Sequence, residues 1–441
     1  MRALALLIVC LLCGSLFAQT PPREKPKLKN FGSSLKKLKW DPQRNQAVTT
    51  APASSNGTAD DDVVRIETSL VVCDVLVTDK QGHPQRDLKA TDFAISEDGA
   101  PQQVGLFALG NLSRSIVLII DYSQSQFPFI AESIDAAKIL VDKLGPHDQM
   151  AIVTDDVDLL VNFTTNKRDL KRALDSLIDR TRGSKGVFGV GKKHIQFGRS
   201  AQFSALMATL NEAFDEEDEA PVIVFQTDGD EIEYLRNSII VHQVPPNLPP
   251  DLLSEVQEEV EQKKQLQRAG LTEFSLDDVF RAVEKSRATI YPIIPRIGLL
   301  RLSEDEQIRR LTAEDERVVA TWIAAASSSK MKELLRARQE EREKKTTKEM
   351  WQARLDQELK IQQALVELAR LSGGSAAFLE TSAQAANIYN HIVQDLNQRY
   401  IVGYYPTNKN HDGKRRHISI TVQGRPDLAI TSRTSYLAPE Q

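Results

Sequence analysis

The sequence predicts an α/β fold: a doubly wound, mostly parallel sheet of Rossmann-like character, with a flanking β-module and a charged helical insertion. Three observations predict it. Ile116-Val117-Leu118-Ile119-Ile120 is a purely apolar, largely β-branched run that stops abruptly at Asp121-Tyr122-Ser123-Gln124-Ser125. Val222-Ile223-Val224-Phe225-Gln226-Thr227 has the same grammar and stops at Asp228-Gly229-Asp230. Between the two, short apolar runs alternate with helical periodicities. Strands that are apolar at every position suit a sheet covered on both faces, and strand–helix alternation produces such a parallel sheet.

The elements follow in order. Residues 1–18 read as an export signal: Arg2 is the positive start, Ala3 to Leu12 the apolar stretch, and Ser15-Leu16-Phe17-Ala18 a cleavage point after Ala18. The stretch is too short to span a bilayer comfortably, so the expectation is a periplasmic or extracellular protein without a transmembrane segment. Residues 19–62 read as a disordered linker, basic at first (Lys25, Lys27, Lys29, Lys36, Lys37, Lys39) and then rich in Ser, Ala, Thr, Asn and Asp. Residues 63–110 carry strand patterns punctuated by Gln81-Gly82-His83-Pro84 and Glu97-Asp98-Gly99, a small N-terminal β-module.

Residues 111–398 form the α/β domain, with strands predicted near 115–121, 149–155, 158–163 and 222–227 and helices near 128–144, 167–179 and 201–214. The sheet resumes at Thr289 to Ile294 and at Ala376 to Leu379. Two segments interrupt it. Residues 241–270 hold a proline-rich loop and a charged helical pattern; residues 302–370 are helical and highly charged. In the second, Leu355, Leu359, Ala364, Leu365 and Leu368 supply an apolar face with which to dock on the domain. Residues 399–437 return to β, and both flanks are expected to build one β-module.

Composition bounds the function. The 441 residues allow two or three domains, and 41% hydrophobic residues support real cores. A net charge of −5 argues against nucleic acid as a partner, because phosphate binding needs a dominant basic face. Cys10 and Cys13 lie in the signal, so Cys73 is the one cysteine of the mature chain and reads as a small buried strand residue.

The candidate chemistry sits at strand ends. In open parallel sheets ligands bind at the carboxyl ends of the strands, where Asp121, Ser123 and Ser125 fall. Their oxygens are hard donors, suited to Mg²⁺, Mn²⁺ or Ca²⁺. Asp228 ends the second apolar run. Phe197-Gly198-Arg199-Ser200 is a glycine turn before a helical pattern, and Ser200 fits its N-cap.

Asp-x-Ser-x-Ser after one strand, a hydroxyl after a glycine turn and Thr-Asp-Gly after a later strand resemble the metal-ion-dependent adhesion site of von Willebrand factor type A domains. The resemblance implies Ser123, Ser125 and Ser200 as direct metal ligands, Asp121 and Asp228 as carboxylates acting through water, and a partner's carboxylate completing the shell. It departs at Ser200, where threonine is commoner, and at Gln126, where small or apolar residues are usual. Cys73 to Gly82, Leu88 to Gly99, Leu371-Ser372-Gly373-Gly374 and Gln398 to Pro406 extend it to the secreted VWFA-related proteins typical of acidobacteria, over most of residues 63–437. The function implied is non-catalytic adhesion: capture of a protein or glycan that offers a carboxylate.

Two other readings stand beside it. One is an envelope assembly protein whose ion only stiffens loops or is absent. The other is a metal-dependent hydrolase, with Ser123 or Asp121 as nucleophile, but no Gly-x-Ser-x-Gly elbow surrounds Ser123. Gly186 to Lys193 imitates a phosphate-binding loop, yet Lys193 replaces the Ser/Thr required to ligate Mg²⁺. Asp215 to Glu219 reads as a solvated acidic turn, and Asp155, Asp156 and Asp158 as hairpin residues.

Overall fold

The computed structural model describes residues 28, 30–35, 38–41, 46–49, 70–110, 113–126, 129–182, 200–215, 220–236, 272–326 and 329–440. The export signal, the Gly186–Lys193 loop, residues 216–219 of the acidic turn and the 241–270 segment lie outside them.

Leu38–Asp41 (β1) and Gln46–Thr49 (β2) pair as an antiparallel hairpin. Residues 30–35, within the segment read as a linker, form a turn against the α/β domain. Leu28 and Phe31 pack on its core, and the N–H groups of Gly32 and Ser34 donate to Glu212 at 2.8 Å each.

Val71–Thr78 (β3), Phe93–Glu97 (β4), Ala100–Gln102 (β5) and Val104–Leu109 (β6) open a β-sandwich. The α/β unit follows: Arg114–Ile120 (β7), Ile130–Lys143 (α1), Gln149–Thr154 (β8), Leu159–Thr164 (β9), Lys167–Arg182 (α2), Gln202–Glu212 (α3), Ala220–Gln226 (β10), Leu276–Lys285 (α4) and Thr289–Ile294 (β11). Next come Glu304–Ala325 (α5), Ser329–Lys345 (α6), Lys348–Ser372 (α7), Ala377–Phe378 (β12) and Ser382–Asn397 (α8). Tyr400–Tyr404 (β13), Arg415–Val422 (β14), Ala429–Thr431 (β15) and Ser435–Leu437 (β16) return to the sandwich.

The central sheet has the order β12-β11-β10-β7-β8-β9, parallel throughout except for the antiparallel β8–β9 edge. Its middle strand explains the uninterrupted apolar run. Ile116, Leu118 and Ile120 face a core with α1, α2 and α8, while Val117 and Ile119 face a second core with α3, α4 and α7. Each such side chain contributes roughly 1.5–3 kcal/mol on burial, so a polar residue within Ile116–Ile120 is disfavoured. Because β7 and β10 are adjacent and in parallel register, their carboxyl ends, and hence Asp121 and Asp228, emerge side by side.

The sandwich uses both flanks of the chain. β13 pairs with β3 and β6, β15 with β3, and β14 with β4 and β16. Cys73 lies on β3 in the sandwich core, and burial pushes its thiol up to about 12.

The charged insertion is three helices. On α7, Ile361, Ala364, Leu365, Leu368 and Leu371 recur at helical spacing and pack into the second core of the α/β unit. Leu355 joins Leu299 and Leu311 in a small core beneath α5. The insertion is thus docked against the domain, on the side of the sheet where the strand ends carry carboxylates.

Candidate functional site

Asp121 leaves the end of β7 with its N–H donating to Gln226 O (3.1 Å), which pins the loop to β10. Its Oδ1 accepts the Ser123 N–H at 3.0 Å, the turn geometry that brings the serine back over the strand end. Ser123 is fully buried, and its Oγ lies 2.9 Å from Ser125 Oγ, which is partly open to solvent. Gln126 closes the 3₁₀ turn and donates through Nε2 to Asp228 Oδ2 at 2.6 Å. Its other side-chain atom, Oε1, is buried, and no partner reaches it among the described residues.

Asp228 is fully buried. Its Oδ1 accepts the Asp230 N–H at 3.2 Å, a turn made possible by Gly229 at φ 75°. Arg296 reaches Asp228 Oδ2 at 3.2 Å and Asp230 Oδ1 at 3.3 Å.

Gln202 joins the two aspartates: its Nε2 donates to Asp121 Oδ2 at 2.8 Å and to Asp228 Oδ1 at 3.3 Å, while its Oε1 accepts the Glu231 N–H. Sequence reasoning missed this residue. Ser200 does not cap α3, as the sequence suggested; the cap position is Ala201, without a side-chain bond. Ser200 instead adopts a left-handed backbone at φ 56°, held by its N–H donating to Asp155 Oδ2 at 2.8 Å. Asp155 Oδ1 accepts the Tyr122 N–H at 3.2 Å. Asp155, expected as a hairpin residue at a strand end, is buried and clamps the Ser200 backbone to the Asp121–Ser125 loop. The short apolar stretch Met150-Ala151-Ile152-Val153 of β8, ending in Thr154-Asp155, was the available signal.

The electrostatics are those of crowded carboxylates. Burial, then the charges of Asp228 and Asp155, push Asp121 well above the usual carboxylate range. Burial acts the same way on Asp228, but Arg296 and hydrogen bonds from Ser125 and Gln126 outweigh it and hold that group low. Burial raises Asp155 to about 7, and burial with the Asp228 charge does the same to Asp230. Two buried carboxylates this close favour one ionised form unless further positive charge arrives. Among the described residues there is no group of three or more His, Cys, Asp or Glu that could hold a metal ion.

The site opens into a cavity of about 410 Å³ between the strand ends and the helical insertion. Ser125, Arg296, Phe129, Leu299, Trp322 and Arg354 are among its lining residues. The guanidinium of Arg317 on α5 stacks 4.7 Å over the Phe129 ring, fixing that wall to the start of α1.

A six-stranded sheet with one antiparallel edge, helices on both faces, and Asp-x-Ser-x-Ser meeting Thr-Asp-Gly at its carboxyl rim decides the fold. In sheet order and strand-end motifs the α/β unit resembles a von Willebrand factor type A domain. No protein-family model matches the chain, and no curated protein does. Among solved structures, it is similar to the vWF domain of the type V pili tip protein Mfa5 from Porphyromonas gingivalis, at 13% identity, over 65% of this chain and 95% of that one, with a TM-score of 0.33. It is also similar to a von Willebrand factor type A protein from Catenulispora acidiphila, at 12% identity over 79% and 72%, TM-score 0.29. Against the three N-terminal domains of Mfa5 the identity is 14%, the coverage 36% of this chain and 26% of that one, and the TM-score 0.21. The chain therefore spans about a quarter of that longer Mfa5 fragment.

Proposed function

We propose that this von Willebrand factor type A-like chain is an exported, non-catalytic binding protein that captures an acidic group of a protein or glycan partner through a divalent cation. Ser123, Ser125 and Ser200 would hold the ion directly, with Asp121 and Asp228 acting through water. The observation that carries the reading is the convergence at one rim: Ser123 Oγ and Ser125 Oγ at 2.9 Å, beside two buried carboxylates joined by Gln202. The orphaned Gln126 Oε1 adds a hard oxygen to the same cluster.

The donor set fits Mg²⁺, and Mn²⁺ or Ca²⁺ by the same chemistry: Mg²⁺ takes octahedral oxygen ligation at about 2.0–2.1 Å and keeps waters that carboxylates can hold. A bound ion supplies an electrophile, and neutral hydroxyl ligands leave its charge available to an anion. The residues do the rest. Ser125 faces the cavity, Asp155 aligns the two loops, and Phe129 and Trp322 line the approach with apolar surface. Ser123 Oγ lies 2.9 Å from Ser125 Oγ and its side chain also hydrogen-bonds the Asp121 carboxylate, a cluster of oxygens suited to holding an ion. Export accords with the residue 1–18 pattern; among the described residues no helix is long and apolar enough to cross a membrane.

A pull-down from native envelope, with and without chelator, tests this. Partner capture lost on chelation and restored by Mg²⁺ is expected. One observation favours the second reading, an assembly protein whose ion is structural or dispensable: Gln202 already contacts Asp121 and Asp228, and Arg296 contacts Asp228. Capture that survives chelation would select that reading instead.

A further inference from the structure

Arg296 leaves the end of β11, and its guanidinium is divided between two structures. Nη2 faces the site, 3.2 Å from Asp228 Oδ2 and 3.3 Å from Asp230 Oδ1. Nη1 faces the insertion, 2.5 Å from Glu358 Oε1 on α7. We propose that Arg296 is a built-in counter-cation that competes with the divalent ion for Asp228 and, through Glu358, couples ion binding to the docking of α7. The inference rests on the ion-binding reading above.

The argument is electrostatic. A guanidinium stays charged at any working pH and presents a planar fork, so it can bridge two carboxylates at once. Bonded to Asp228, it neutralises a carboxylate that the ion needs and repels the incoming cation. At an effective dielectric of about 20, a unit charge some 6 Å away changes divalent-ion affinity by well over tenfold before screening. Glu358 pulls the same guanidinium the other way. When an ion engages Asp228, Arg296 is left to Asp230 and Glu358, and its hold on α7 tightens. By reciprocity, a docked Glu358 favours the ion.

A second contact makes the coupling mechanical. A Cβ placed on Gly229, between Asp228 and Asp230, would sit 2.7 Å from Ile361 Cγ2 and 3.3 Å from Leu365 Cδ1. Helix α7 therefore lies directly on the turn that carries the carboxylate. A small shift of that turn cannot be absorbed without moving α7, because packed side chains leave no slack.

Calorimetric titration of the full chain with Mn²⁺ tests the proposal, and circular dichroism checks that each variant is folded. Arg296→Gln is expected to bind Mn²⁺ at least tenfold more tightly than the native chain. Arg296→Lys, which keeps the charge, stays within threefold of native. Glu358→Gln, which frees Arg296 for Asp228, weakens binding several-fold. A merely structural role would weaken binding in Arg296→Gln as well, so the opposite signs are diagnostic. Hydrogen exchange over residues 348–372 is expected to slow on Mn²⁺ addition in the native chain and to be unaffected in Arg296→Gln. Native binding with unchanged or weaker affinity in Arg296→Gln overturns this inference and leaves the ion site standing. Absence of binding in the native chain and in every variant overturns both. Binding in Arg296→Gln alone supports the competition in its strongest form.

Discussion

Asp155 accepts the backbone N–H of Ser200 at 2.8 Å and so holds a serine in a left-handed conformation at φ 56°. Outside glycine that backbone costs roughly 1–2 kcal/mol. The strain sets the hydroxyl-bearing loop against the Asp121–Ser125 turn. Ser200→Gly should therefore keep the fold, with stability unchanged or raised by up to about 1 kcal/mol, because glycine adopts this conformation freely. Ion affinity should fall, because the hydroxyl is gone. Denaturant melts and Mn²⁺ titration on the same sample separate the two effects.

Asp155 itself accepts two backbone N–H groups, from Tyr122 and Ser200. Asparagine offers one oxygen in place of two, so Asp155→Asn leaves a buried N–H facing an amide N–H. A loss of about 1–3 kcal/mol is expected in urea melts, together with weakened ion binding. Native stability and native affinity in this variant would show that the clamp does not align the loops.

How far the sequence disclosed the site depends on what each residue's neighbours looked like. Asp121 and Asp228 were legible because each terminates an apolar run, and a run buried on both faces can end only at the sheet's rim. Ser200 was found by its glycine turn but misassigned as a cap, since nothing in Gly198-Arg199-Ser200 encodes a left-handed backbone. Gln202 and Arg296 carry no motif; they reach the aspartates through folding of segments far apart in sequence. The strands of the central sheet fell within a few residues of the apolar runs. The break of the insertion into α5, α6 and α7 was hidden by its uniform charge.

The Leu371-Ser372-Gly373-Gly374 stretch has a steric reason. Gly373 ends α7 at φ 80°, and a Cβ on Gly374 would lie 2.0 Å from Ile290 O in β11. Gly374→Ala should destabilise by about 3 kcal/mol or more, since backbone on both sides must move. Thermal melting checks it; a near-native midpoint would contradict the close approach of α7's end to the sheet.

Glu231 accepts the Ser204 N–H at 2.9 Å and its hydroxyl at 2.6 Å, yet burial raises its carboxyl from 4.5 to about 7. The folded chain therefore holds this proton more tightly than the unfolded one. Its contribution to stability is full below about 4.5 and is lost as pH rises to about 7. The loss is at most about 3 kcal/mol. Glu231→Gln should flatten the pH dependence of the melting midpoint between pH 5 and 8, as read by calorimetric scans. An unchanged slope would assign the pH dependence to other carboxylates.

Isothermal titration of Mg²⁺ and Mn²⁺ into the native chain, Asp121→Ala and Asp228→Ala tests the ion site most directly. The account predicts saturable binding of about one ion by the native chain and none by either variant, with both variants folded by circular dichroism. Equal heats of binding in all three chains would contradict it.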